Sequence, residues 1–299
     1  MSAIRKSYPM NQSPLFKLRS KGRLASLLGM SEKELLELAT LADSLYSMFE
    51  IPKKNGGVRG VENPRRQLKL VQATVARLLG RIQPPDYLFC PVKGRCYVTN
   101  AAQHRGQRVI RCLDIKKYFP STPSRKVFYF FHKVMQCEKD IAATLASLAC
   151  HKGHLPTGSP LSPIMAHYAH YDLWQAVATQ CREHGYRLTV YIDDVTISGQ
   201  SVSRDVMWAI KRAIHGAGLK YHKEKHFVDR PAEVTGVIIS GDSLKVPNRQ
   251  LKKLNEARAA LRHPDASVLD PKLRERMLGL QGQVAQVAAI RARIGRELV

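Results

Sequence analysis

The run Arg187-Leu-Thr-Val-Tyr-Ile-Asp-Asp-Val-Thr-Ile-Ser-Gly199 decides the reading of this chain. Leu188, Val190 and Ile192 alternate with Thr189 and Tyr191, the two-residue period of a strand with one buried face. Val195 and Ile197 resume the alternation after Asp193-Asp194, and Gly199 ends it. The pattern describes a tight hairpin whose tip carries two adjacent acids into solvent or into a cleft. Asp is an ordinary turn former, so the pair alone says little. A third acid changes that. Asp114 stands at the end of another apolar run, Val109-Ile-Arg-Cys-Leu-Asp-Ile-Lys-Lys-Tyr-Phe119. Acids on two neighbouring strands can hold a pair of divalent cations at the separation that in-line phosphoryl transfer needs.

The composition points to the substrate class. The 299 residues are 44% hydrophobic, enough for a sizeable core and more than one lobe. Lysine and arginine number 48 against 24 acidic residues, a formal net charge of +24 that calls for a polyanionic partner. A basic surface that merely solubilises is the plainer alternative, and the gathering of the few acids at the hairpin argues against it. Cys90, Cys96, Cys112, Cys137, Cys150 and Cys181 show no Cys-x-x-Cys spacing, and no signal peptide precedes them. They are expected to be reduced thiols of a soluble, cytoplasmic protein. His151 and His154 have no neighbour to complete a zinc set and read as loop histidines. No apolar run approaches membrane-spanning length, so no membrane partner is expected.

Along the chain, Ser31-Glu-Lys-Glu34 forms a capping box ahead of a helical pattern that continues to Phe49. Pro52 to Gly57 reads as a hairpin tip and Arg59 to Val61 as extended chain. Pro64 opens a helix through Leu79 with Leu68, Val71, Val75 and Leu78 on one face. Residues 83–100 read as loop, and helices are expected over 126–135 and 139–150. A Pro- and Gly-rich turn, Leu155-Pro-Thr-Gly-Ser-Pro-Leu-Ser-Pro163, leads into one long helix ending near Cys181. A helix near 203–216, a lysine-rich loop and a short strand over 234–240 follow. The last fifty residues read as helical, broken at His263-Pro264 and at Pro271.

These blocks, taken in order, resemble the reverse transcriptases. Asp114 with Phe119 looks like the first catalytic block of that family, Leu155 to Pro163 its second, Tyr191 to Asp194 its third, and Gly218-Leu219 with Glu224-Lys225 its fourth. The match runs across roughly 50–245, and four blocks in the right order are specific where one would not be. The resemblance implies an α+β right-hand polymerase fold. Residues 1–50 would be an N-terminal helical segment and 51–107 the fingers. Residues 108–245 would be the palm, an antiparallel sheet with a fingers insertion at about 124–155, and 246–299 a helical thumb. It also implies two Mg²⁺ ions bound by Asp114, Asp193 and Asp194, with the Ile115 carbonyl adding an oxygen. One ion would activate the primer hydroxyl and the other would neutralise the triphosphate.

Further roles follow from the same resemblance. Phe119 would lie under the incoming sugar and exclude a 2′-hydroxyl, which selects deoxynucleotides. Lys225 would bind or protonate the departing pyrophosphate, with Lys223 as a competitor. Arg59 and Lys69 could grip the triphosphate, beside Thr157 and Gly158 of the second block. The family usually carries Gln where this chain has Thr157, and a shorter hydroxyl cannot make the amide's contacts to template and nucleotide.

Two shorter segments narrow the class. Thr99-Asn-Ala-Ala-Gln-His104 resembles the Asn-Ala-x-x-His element of retron reverse transcriptases, and Val234-Thr-Gly236 their Val-Thr-Gly element. Taken singly, Asn100 with His104 could cap a turn, and Thr235-Gly236 could end a strand. The retron resemblance implies a structured non-coding RNA that is partly copied into a branched RNA-linked DNA (msDNA), an accessory effector protein and a role in defence against phage. Asn100, His104, Val234, Thr235 and Gly236 are candidate RNA contacts. So are Arg249, Lys252, Lys253, Arg258, Arg274, Arg276, Arg291 and Arg293 of the basic C-terminal helices, since stem-loops are read largely through shape and phosphates. The residues after Ser240 are expected to hold a small thumb without a ribonuclease H domain. Two alternatives remain open. One is a basic RNA-binding scaffold that sequesters an RNA or an effector, toward which only Thr157 leans. The other is a group II intron-like or different defence reverse transcriptase.

Overall fold

The structure, a computed structural model, describes residues 7–52, 56–262 and 272–297. Helix α1 (Lys21–Leu28) starts at Ser20, whose side chain accepts from the Arg23 amide. Helix α2 (Glu32–Leu41) opens on the expected capping box, with Ser31 N–H donating to Glu34 at 2.7 Å and Glu34 N–H to Ser31 Oγ at 3.2 Å. It does not continue to Phe49. Strand β1 (Tyr46–Pro52) pairs antiparallel with β2 (Val58–Pro64), from Tyr46 opposite Pro64 to Pro52 opposite Val58. The apolar residues of so short a stretch satisfy either period, and a turn close behind them lets the chain fold back into a ribbon. The hairpin tip at 53–55 lies outside the described residues.

Helix α3 (Arg66–Leu79) buries Leu68, Val71, Val75 and Leu78 as expected. The stretch expected to be loop contains strand β3 (Leu88–Cys90) and helix α4 (Tyr97–Ala102). Strand β4 (Val109–Ile115) follows. Helix α5 (Ser124–Tyr129) runs on as a π-helical turn to Val134, and α6 (Lys139–Ala149) comes next. The expected long helix is two, α7 (Ser162–Ala169) and α8 (Tyr171–Glu183), divided at His170, whose φ and ψ of −111° and 30° are not helical. Strands β5 (Arg187–Tyr191) and β6 (Asp194–Gly199) form the hairpin, and α9 (Arg204–Gly216) follows. The lysine-rich loop is strand β7 (Tyr221–Val228). Its charges fit because it is an edge strand, where exposed lysine is tolerated and discourages pairing with other chains. The expected single strand turns back at Thr235-Gly236, where φ is 45° and 84°, giving β8 (Ala232–Val234) and β9 (Val237–Ser240). Strand β10 (Ser243–Lys245), α10 (Asn248–Ala260) and α11 (Leu273–Glu297) complete the order. The helix breaks expected at His263-Pro264 and Pro271 lie outside the described residues.

The central sheet has five strands in the order β3-β5-β6-β4-β7, parallel only between β3 and β5. Its two faces differ in chemistry. Leu113, Ile115, Leu188, Val190, Val195 and Ile197 point into the main core, with Trp174, Phe130 and Phe131 among its fully buried members. The polar tips in that core are satisfied, Trp174 donating to Tyr118 Oη at 3.0 Å and Tyr118 donating to the Ala166 carbonyl at 3.1 Å. The opposite face carries Asp114, Cys112, Asp194, Thr196 and Ser198 at alternate positions of two paired strands. A separate apolar cluster, centred on β8–β10 and α4, takes in Ile110, with Cys112 packed against it. Among the described residues no helix is long and apolar enough to cross a membrane.

Candidate active site

Asp114 and Asp194 are direct cross-strand partners on β4 and β6, and Tyr191 pairs with Asp194 across the hairpin. Like charges placed opposite one another in a sheet repel, so this pairing opposes stability unless a cation or proton intervenes. Asp193 sits in the two-residue turn between them. The turn holds Ile192 at φ 58°, a left-handed conformation that costs a β-branched residue about 1–2 kcal/mol. The Ile115 amide restrains the turn by donating to the Asp193 carbonyl at 2.8 Å. The end of β4 and the tip of the hairpin are thereby fastened together, which brings the three acids to one place.

The ionisation of Asp194 and Asp193 reflects their burial first and the neighbouring charge second. Burial pushes the Asp194 carboxyl up to about 6, with the charges of Asp193 and Asp114 adding to the shift and Lys225 opposing it. Asp193 is raised as well, first by the protein around its carboxyl and then by Asp114; Arg59 and His222 pull the other way. The turn is open to solvent at Asp193, whereas Asp194 is only partly accessible. Arg59 of β2 is thus close enough to the hairpin for its charge to be felt at Asp193, although the two lie on different sheets.

The metal chemistry fits the donors. All three side chains are carboxylates, hard oxygen ligands suited to Mg²⁺-like cations rather than to soft metals. Among the described residues no three His, Cys, Asp or Glu groups close into a ready-made cage.

Strand β7 brings two lysines to the same face, Lys223 opposite Asp114 and Lys225 opposite Cys112. Lys225 is the one whose charge acts on Asp194. The bulge at the end of this pairing also delivers His222, whose Nδ1 lies 3.4 Å from Asp114 Oδ1. His222 escapes a reading of the sequence alone because the lysine-rich pattern of β7 reads as loop. Phe119 is half-buried at the rim of the core, its ring stacked on Tyr118 at 6.1 Å.

The second block meets β2 rather than standing free. Thr157 Oγ1 accepts from the Glu62 amide at 3.2 Å and donates to the Gly60 carbonyl at 3.0 Å. Gly158 N–H donates to the Glu62 carbonyl at 3.1 Å, and a Cβ on Gly158 would stand 2.6 Å from that oxygen. Glycine is required there by close approach of two backbones. Lys69 donates to Asn63 Oδ1 at 3.0 Å and is otherwise exposed beside the same strand.

The retron-like elements take a different role from the expected one. His104 is fully buried, with Nδ1 2.7 Å from Ser198 Oγ and Nε2 2.8 Å from Thr189 Oγ1. Asn100 is 1% exposed and donates to Thr235 Oγ1 at 3.3 Å, while Thr235 donates to the Tyr97 carbonyl at 3.0 Å. Val234 is buried and Gly236 serves the turn. Asn100, His104 and Val234 are therefore not surface RNA contacts. They join α4 and the β8–β9 turn to the central sheet, and enclosed side chains cannot reach a phosphate. On α10, Arg249 pairs with both oxygens of Glu233, and Lys252 lies 3.9 Å from Glu256. Lys253 and Arg258 are exposed there, as are Arg274, Arg276, Arg291 and Arg293 on α11.

This geometry has a family. The chain matches the family model described as reverse transcriptase (RNA-dependent DNA polymerase) over residues 51–239, and it belongs to that family. Within it, the chain is similar to curated retron reverse transcriptases. It is 29% identical to the retron Ec86 reverse transcriptase of Escherichia coli, over 83% of this chain and 81% of that protein. The retron Mx65 reverse transcriptase of Myxococcus xanthus is 32% identical over 65% of this chain, and the retron Se72 reverse transcriptase of Salmonella heidelberg 27% over 71%. Of those two the chain spans little more than half the length, 51% and 56%.

Proposed function

We propose that the protein is an RNA-directed DNA polymerase of retron type. It would copy part of a cognate structured RNA into a branched RNA-linked single-stranded DNA. The observation that carries the reading is the cross-strand pairing of Asp114 with Asp194 beside the Asp193 turn, within a family of RNA-dependent DNA polymerases. In the right-hand arrangement, β1–β2 and α3 would be fingers, the five-stranded sheet the palm, and α10–α11 the thumb. The N-terminal helical segment then ends before β1, at Ser44 rather than residue 50.

Two bound divalent cations, Mg²⁺ in this reading, would activate the primer hydroxyl and neutralise the triphosphate and pyrophosphate. Asp114, Asp193 and Asp194 would hold them, with the Ile115 carbonyl as a further oxygen. Arg59 reaches toward the triphosphate from β2, with Lys69 behind it. Lys225 offers a proton or a charge to the departing pyrophosphate. Phe119 closes the sugar side of the site against a 2′-hydroxyl. The exposed basic residues of α10 and α11 grip RNA phosphates. The natural partners are then the cognate RNA, its DNA copy, deoxynucleoside triphosphates and an accessory effector, in anti-phage defence in the bacterial cytoplasm.

The test uses protein expressed with its native flanking DNA. Wild type should yield a discrete, ribonuclease-resistant DNA that shifts on debranching. The Asp193→Ala variant should bind RNA and yield none. DNA that does not shift would exclude the branched product, and activity in Asp193→Ala would sink the site.

A further inference from the structure

A two-stranded ribbon is marginal on its own, so the β1–β2 hairpin needs an anchor, and it carries Arg59. The anchor is a set of polar contacts. At the base of the ribbon, buried Gln72 on α3 donates to Tyr46 Oη at 2.8 Å and accepts from Ser159 Oγ at 2.6 Å. Higher up, the 155–160 loop grips β2 from both sides of Glu62. Thr157 Oγ1 bridges the Glu62 amide and the Gly60 carbonyl. The Glu62 carboxylate in turn accepts from the Thr157 amide at 3.3 Å and from His154 Nε2 at 3.0 Å. The Glu62 side chain is 13% exposed and that of His154 24%, so solvent competes little for these bonds. Gly60, an acceptor in this set, adjoins Arg59 on the same strand.

We infer that Thr157, Glu62 and His154 are positioning residues, a clasp that seats β2 and so fixes the backbone from which Arg59 would receive the nucleotide triphosphate. The inference rests on the polymerase reading and goes beyond it. A hydroxyl on a short side chain donates and accepts at once in the narrow gap between loop and strand, where a long amide would push them apart. In this chain the position fastens the strand that bears the arginine.

The experiment is primer extension on an RNA template by the full chain with Mg²⁺, reading KM for a deoxynucleotide and kcat separately. Thr157→Val keeps the shape and removes the hydroxyl. KM should rise about five- to tenfold, the scale of two lost hydrogen bonds, with a smaller change in kcat. Thr157→Ser should restore wild-type KM. In an Arg59→Ala background Thr157→Val should add almost nothing, because its effect passes through the arginine. Additive losses in that cycle, or a kcat loss at constant KM, would overturn the inference. Hydrogen exchange provides a readout apart from activity, with the Glu62 amide exchanging faster in Thr157→Val. An active wild type whose Thr157→Val variant changes neither KM nor that exchange rate defeats the clasp alone. A wild type with no template-dependent incorporation defeats the polymerase reading itself.

Discussion

Replacing Asp194 with Asn should stabilise the protein above neutral pH in the absence of divalent cations, and the size of the gain follows from the structure. The Asp194 carboxyl titrates at about 6 in the folded chain against 3.8 for the unperturbed group. Its folded pKa is raised, so the folded state holds a proton that the unfolded chain has already lost. Stability contributed by that proton is present below pH 4 and disappears as pH rises through 6. The difference is worth on the order of 3 kcal/mol at pH 7.5. Asparagine carries no charge at any pH, so Asp194→Asn should gain up to that amount at pH 7.5 and almost nothing at pH 4. Urea unfolding in chelator, followed through Trp174 fluorescence, reads both conditions; Trp174 is fully buried and reports on the main core. Adding millimolar Mg²⁺ should stabilise wild type by mass action and the variant much less. A variant no more stable than wild type at pH 7.5 without metal, or equally stabilised at pH 4, would refute the electrostatic account of the site.

Other consequences are as direct. Burial pushes the imidazoles of His104, His167 and His170 down to about 3, so unfolding takes up protons that the folded chain refuses. Their sign opposes that of Asp194 and Asp193, and three groups outweigh two. Wild-type stability should fall by roughly 2 kcal/mol for each unit that pH is lowered near pH 5, and a flat profile between pH 7 and 4.5 would contradict this. Gly158→Ala should displace the 155–160 loop from β2, because the new Cβ meets backbone rather than a yielding side chain. A melting loss of about 1–3 kcal/mol is expected, and a wild-type melt would mean the two segments part easily. RNA affinity should fall at least tenfold between about 50 and 200 mM salt if the basic helices hold phosphates, and a flat response would remove that role.

What the amino-acid pattern reveals depends on how each element is buried. The Tyr191–Asp194 hairpin is legible because one face of β5 and β6 enters the core, which forces strict alternation. Strand β7 is not, since an edge strand with both faces largely wet can carry Lys223, Glu224, Lys225 and His226 in succession. With β7 read as loop, His222 had no place beside Asp114. Strand β1 hides behind a helical pattern because Tyr46, Phe49 and Ile51 suit either period over so few residues. Register is a tertiary fact: neither Asp114 nor Asp194 carries a mark of being the other's partner. His104 looks like a surface ligand in sequence, and only the fold reveals Ser198 and Thr189 waiting for its two nitrogens. The clasp is the extreme case, since Glu62 and Thr157 are 95 residues apart and ordinary in both contexts.

The same features that weaken the ligand-free protein are those the chemistry requires. Two carboxylates face each other across β4 and β6, a third sits on a turn that strains Ile192, and the surrounding protein denies them full hydration. None of this would persist in a loosely packed chain. It is held by a core that over-determines the sheet, by the Ile115–Asp193 backbone bond and by the buried His104 links farther along the same strands. The site is therefore rigid and electrostatically unsatisfied at once. Cations held by Asp114, Asp193 and Asp194 would remove repulsion already built into the fold rather than reorganise it. Preorganisation of that kind is what lets ligand binding energy be directed to the reacting atoms. The ribbon that carries Arg59 is a separate two-stranded sheet, and among the described residues the polar contacts of Thr157, Glu62 and His154 tie its second strand to the 155–160 loop.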